Sequence, residues 1–120
     1  TLGLCGIEPP DWMQGFDYSG ARLRSRTMAS VPDSAFVQSV IPTGHGDSVD
    51  RPWRAVVTLD GWKYVVLEHQ PWLMFNLKED PYELVNVAHN TVYQKERRRL
   101  NDRLAQWISD TGDDFPMPSL

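Results

Sequence analysis

Arg54 to Asp60 and Trp62 to Glu68 are two extended runs rich in β-branched and aromatic residues, joined across Asp60-Gly61. This arrangement constrains the chain more than anything else in it. Asp-Gly suits a type I′ turn, whose two central residues both need positive φ, so the runs are expected to fold back as an antiparallel hairpin. Side chains alternate along a strand. Trp53, Ala55, Val57 and Leu59 fall on one face and Arg54, Val56 and Thr58 on the other, so the first face is the more apolar and is expected to meet a helix.

The neighbouring residues extend the hairpin into a sheet. Ala35 to Ile41 reads as a strand stopped by Pro42, and residues 43–48, with two glycines and short polar residues, read as a loop. Pro71 ends the second hairpin strand, and Trp72 to Leu77 gives a further short strand before the charged turn Lys78-Glu79-Asp80-Pro81. Thr91-Val92-Tyr93-Gln94 has the form of a capping box, with Thr91 accepting from an amide of the first turn and Gln94 reaching back. Leu100, Leu104, Trp107 and Ile108 then recur at helical spacing, with Lys95, Arg98, Asn101, Asp102 and Gln106 on other faces. Gly112 is placed to end that helix, and Phe115 to anchor the tail after it. The fold class is α+β: a small antiparallel sheet of about four strands packed against a C-terminal amphipathic helix.

Upstream, Leu2 to Ile7 reads as the last turn or two of a helix, because Glu8-Pro9-Pro10 cannot continue one. Gly15, Tyr18-Ser19-Gly20 and the closely spaced Arg22, Arg24 and Arg26 read as a connector. The boundary falls between Ser19 and Ser34, giving residues 1–34 and a C-terminal subdomain of residues 35–120. The chain opens at Thr1 inside an apolar run with no initiator methionine, as expected of a fragment of a longer protein.

Composition removes several function classes. With 120 residues and a net charge of −4, the chain has room for one modest core and no broad positive field to attract nucleic acid. Arg97-Arg98-Arg99 reads as a solvated helix face. Cys5, the one cysteine, can form no disulfide within the chain and reads as a small buried hydrophobe. No run is apolar enough over its length to span a membrane as a helix.

Few residues suggest chemistry. His45, His69 and His89 are far apart and outside any metal-ligand spacing, and there is neither a phosphate loop nor a G-x-S-x-G elbow. The adjacent carboxylates Glu79-Asp80 and Asp113-Asp114 suit turns and caps. Asp80, before Pro81, is expected to bond forward to backbone amides, with Glu83 and Asn86 satisfying backbone groups around the same reversal. Of the five tryptophans, Trp62 and Trp107 are expected to fill the core, while Trp53 and Trp72 could equally stack on a sugar.

The order of several weak motifs is more specific than any one of them. Arg54-Ala55-Val56-Val57-Thr58, Trp62-Lys63-Tyr64, Phe75-Asn76-Leu77 and Asp80-Pro81-Tyr82-Glu83-Leu84-Val85-Asn86-Val87 resemble the closing hairpin and turn of the sulfatases. There R-A-V-x-T, W-K-Y, L-Y-D-L and D-P-x-E-x-x-N-L follow one another. Leu2-Gly3-Leu4-Cys5-Gly6-Ile7 and Met13-Gln14-Gly15 are similar to the segment that ends the family's catalytic domain. Asn76 stands where an aspartate is usual, and Phe16 where an arginine or aspartate is frequent.

The resemblance implies a parent that hydrolyses sulfate esters or sulfamates with a formylglycine nucleophile and a calcium ion. This chain contains no C-x-P-S-R segment. It is therefore expected to be the C-terminal part, inactive alone, packing on its own catalytic domain and lining the substrate cleft with the loop from Pro42 to Pro52. His45 and Arg54 are expected to contact polar groups of the leaving alcohol and Trp53 to stack on it. The implied substrate is a sulfated small molecule or glycan, and the implied location is periplasmic or secreted. A free-standing carbohydrate-binding or structural interaction module is the alternative.

Overall fold

The computed structural model describes residues 2–13, 15–27, 31–41, 44, 46 and 49–120. The chain divides into two compact units, Thr1–Pro32 and Asp33–Leu120.

In the first unit the expected helix end is a single 3-10 turn, Gly3–Cys5, closed by left-handed Gly6 at φ 73°. Two glycines within four residues, followed by Pro9 and Pro10, leave too little helix propensity for more. Cys5 is exposed rather than buried, because so short a turn has no inner face to hide it. Asp17 organises the rest. Its carboxylate accepts the Ser19 amide and hydroxyl at 2.9 Å each, together with Arg26, whose other amino group reaches Glu8 at 2.8 Å. These bonds, the Ser19 amide first, hold the Asp17 carboxyl below its ordinary range. Gly3 must lack a side chain, since a Cβ there would lie 2.3 Å from the Asp17 oxygens.

The second unit is the α+β arrangement expected. Strands β1 (Ser34–Ser39), β2 (Trp53–Thr58), β3 (Trp62–Leu67) and β4 (Gln70–Asn76) form an antiparallel meander in that spatial order, and helix α1 (Gln94–Asp110) covers one face. Between β2 and β3 the loop differs from a type I′ turn. Only Gly61 is left-handed, at φ 92°, and its amide closes on Thr58 O at 3.0 Å, making a three-residue connection. Thr58 donates its hydroxyl to Asp60, which fixes the loop without positive φ at the aspartate.

The face that meets α1 is the reverse of the one expected. Val56, Tyr64, Val66 and Met74 pack with Ala88, Leu100, Leu104, Ile108 and Phe115, whereas Trp53, Ala55 and Val57 point to the opposite side. Arg54 and Thr58 are tolerated on the helix side because each finds polar partners at the margin of the core. Trp107 stacks on Phe36 at 6.1 Å and donates to Ser34 Oγ at 2.9 Å, and Trp62 meets Tyr93 edge-on, so both tryptophans close the core's rim. Within it the Tyr64 hydroxyl bonds Asn101 Oδ1 at 3.2 Å, and burial pushes its pKa up.

The helix begins through Asn90 rather than Thr91. Asn90 is extended and its Oδ1 accepts the Val92 amide at 3.0 Å, while Thr91 lies inside a leading 3-10 turn, Thr91–Tyr93. Gly112, at φ 66°, ends the helix, and the Asp113 amide returns to Ile108 O at 3.0 Å. Residues 113–118 then cross back to the sheet: Phe115 is buried in the core, and Pro116 O accepts the His69 amide at 3.0 Å.

Candidate functional site

The sheet face away from α1 holds a groove of about 530 Å³. Its floor follows from strand register. Val37 lies opposite Ala55, Ala55 opposite Val65, and Val57 opposite Lys63, which lines up small and β-branched side chains across three strands. Trp53 stands at one end, beside Val49 of the preceding loop.

A β-bulge shapes the wall on β4. Val65 pairs with Leu73 and Val66 with Pro71, leaving Trp72 as the extra residue, so Trp72 and Leu73 both line the groove although they are consecutive. Asn86 holds that bulge from outside. Its Oδ1 accepts the amides of Met74 and Ala88 at 3.0 Å each, and its Nδ2 donates to Trp72 O at 2.9 Å.

The turn of residues 80–87 supplies the remaining wall. Asp80 accepts the amides of Leu84 at 3.0 Å and Val85 at 2.8 Å, bonds that keep its carboxyl below the ordinary range. Pro81 follows, setting the backbone direction of the reversal. Glu83 is left-handed at φ 56° and, rather than bonding backbone groups, its carboxylate meets Lys63 Nζ at 2.6 Å across the groove's rim. Lys63 also lies 5.9 Å from the centre of the Phe75 ring.

Arg54 faces the other way. It is 6% exposed, its Nε and Nη2 bind the Asp113 carboxylate at 2.5 and 3.2 Å, Nη1 donates to the Ser39 and Trp53 carbonyls, and Phe115 stacks beneath it at 4.6 Å. The guanidinium thus ties the tail to the start of β2, and holds the Asp113 carboxyl below its usual range. Trp53, the next residue, reaches the groove instead. Asp60 and Gly61 lie at the opposite end of β2, with Asp60 bound to Arg99 at 2.8 Å and Gly61 O accepting the Leu77 amide at 2.7 Å. His45 lies outside the described residues.

The groove's lining is mainly apolar. Among the described residues no three of His, Cys, Asp and Glu gather as a metal site. The charged side chains lining the groove, Lys63 and Glu83, neutralise each other. Sequence reading singled out Trp53 and Trp72 but not Lys63 or Val37, which only the register brings beside them.

No protein-family model matches the chain. A 45-residue stretch, 38% of this chain and 8% of the other, is 40% identical to the ulvan-active sulfatase of Formosa agariphila. Among solved structures, a candidate sulfatase of Bacteroides thetaiotaomicron superimposes with a TM-score of 0.77 at 22% identity, over 94% of this chain and 24% of that one. A 2-O GAG sulfatase gives 0.77 at 23% identity with the same coverage. A third, solved in complex with its substrate D-glucosamine-2-N,6-O-disulfate, gives 0.73 at 21% identity over 96% and 23%. The chain therefore has a fold found in sulfatases, consistent with their C-terminal subdomain, and spans about a quarter of the solved chains it matches.

Proposed function

We propose that this chain is the C-terminal part of a sulfuric ester hydrolase, packing on a preceding catalytic domain, bordering its substrate cleft, and inactive alone. The observation that carries the reading is near-complete superposition on sulfatases of which the match is only about a quarter, together with the local identity to an ulvan-active sulfatase. In this reading residues 1–34 close the catalytic domain. The formylglycine and calcium, with the charge stabilisation they supply to sulfuryl transfer, would belong to upstream segments, this sequence having no C-x-P-S-R segment. The relatives' names favour a sulfated glycan over a small sulfate ester as substrate. The loop of residues 42–52, including His45, and Trp53 after it would border the cleft, with Arg54 fixing the strand that presents Trp53.

The test is the coding region upstream of Thr1, followed by assay of the full-length product. A C-x-P-S-R or S-x-P-x-R segment with early paired aspartates, and sulfate release by the full-length protein but not by residues 1–120, is the expected outcome. A parent lacking that segment and releasing no sulfate from sulfated polysaccharides would sink the proposal. The two tryptophans lining the groove favour a second reading, a carbohydrate-binding module. That reading requires residues 1–120 by themselves to bind a sulfated polysaccharide.

A further inference from the structure

We infer that Asp60-Gly61 is a site of spontaneous backbone modification, the isomerisation of aspartate to isoaspartate, and that Arg99 of α1 holds the reaction off, as Arg103 does at Asp33-Ser34.

The chemistry starts from residue type. Where aspartate precedes a residue with little bulk at its Cα, the next backbone nitrogen can approach the aspartate's own carboxyl carbon. The nitrogen of Gly61 bonds to Cγ of Asp60, and the amide proton leaves with a carboxyl oxygen and its proton as water, closing a five-membered imide. Water then adds at the main-chain carbonyl carbon of Asp60 and breaks its bond to the Gly61 nitrogen, which takes up a proton. The chain now runs through Cγ, one methylene longer and unchanged in mass. Asp60-Gly61 is the one Asp-Gly pair in the sequence, which has no Asn-Gly. Asp33-Ser34 is one of two Asp-Ser pairs, the other, Asp47-Ser48, lying outside the described residues.

Burial protects neither site, since the two side chains are 53% and 69% exposed. What each carboxylate has instead is an arginine of α1, and the two arginines stand four residues apart on one side of that helix. Arg99 Nη2 donates to Asp60 Oδ2 at 2.8 Å while the Thr58 hydroxyl donates to Oδ1, and Glu96 accepts Arg99 Nε at 2.7 Å, steadying the guanidinium. Arg103 donates from Nε to both Asp33 oxygens at 3.1 Å and from Nη2 to Oδ1 at 2.8 Å. The nucleophile at the first site is engaged as well: the Gly61 amide donates to Thr58 O at 3.0 Å. Oxygen departs as water from the acid and not from the paired carboxylate. Cyclisation therefore requires the carboxyl to shed its arginine, take a proton and swing onto its own backbone. At Asp33 the bond to Arg103 is the foremost cause holding the carboxyl below its ordinary range.

The experiment is warm incubation of the full-length protein in neutral buffer, followed by digestion and electron-transfer mass spectrometry, which separates the two isomers by their fragments. Arg99→Ala should accumulate isoaspartate at position 60 about threefold faster than the unmodified protein, the factor that an exposed ion pair carries, with no change at position 33. Arg103→Ala should do the reverse. In the unmodified protein position 60 should react more slowly than in a free peptide of residues 57–64. No acceleration in Arg99→Ala overturns the inference. Equal acceleration at both positions in either variant also overturns it, because a loosened fold and not a local guard would then set the rate. So does a rate at position 60 of the unmodified protein equal to that of the free peptide.

Discussion

At the scale of single residues, the Arg54–Asp113 pair is the most buried ion pair among the described residues of the second unit, with side chains 7% and 13% exposed. Removing one member strands the other in a mostly dry setting, so Arg54→Ala should cost about 3 kcal/mol in urea unfolding. A loss no larger than that of an exposed pair would mean that water already screens it. Asp113 also sets an acid dependence. Its folded pKa is depressed, with the Arg54 bond the foremost cause, so its contribution is complete above the unfolded-state value and drains away as pH falls through the folded one. Asp113→Asn should therefore be less stable than the unmodified chain at neutral pH, and the gap between them should narrow below about pH 4. Urea midpoints measured at neutral pH and through the acid limb check this, and a constant gap would refute it. The same sign holds for Asp33 beside Arg103, where exposure makes the effect smaller.

At the scale of elements, the bulge in β4 depends on one side chain. Asn86→Ala removes three hydrogen bonds at once and leaves the Met74 amide without its acceptor, so we expect a loss of about 2 kcal/mol. Hydrogen exchange at Met74 should accelerate more than at Val56 in the middle of the sheet. Unchanged exchange at Met74 would show that Asn86 does not hold the bulge. The elements themselves were legible in the sequence, because alternation and helical spacing are local signals, but Pro71, expected to end a strand, lies inside β4, which starts at Gln70 and pairs Pro71 with Val66. What faces what was not legible. Trp53, Ala55 and Val57 look like the helix-facing row only while Arg54 is counted as polar, and its partner Asp113 lies 59 residues away. The groove was hidden for the same reason: pairing register and the extra residue at Trp72 are set by contacts between strands. The helix cap was misread by one residue because Asn90 and Thr91 both suit the role, and only the extended backbone at Asn90 separates them.

At the scale of the whole molecule, the sheet has one face closed by α1 and one apolar groove. Residues 1–120 by themselves should bind a fluorescent dye selective for exposed apolar surface, and Val37→Lys should weaken that binding while leaving the far-ultraviolet circular dichroism unchanged. Dye binding insensitive to this substitution would place the exposed apolar surface elsewhere. A sheet also has two outer edges, here those of β1 and β4. Along β4 the Asn86 side chain takes the Met74 amide and the Trp72 carbonyl, and the Val87 amide takes the Met74 carbonyl at 2.9 Å. Those are the groups a strand from another molecule would need. The amide that fixes a bulge thus also denies a template to fibrillar growth, and any strand exchange between molecules has to begin at β1.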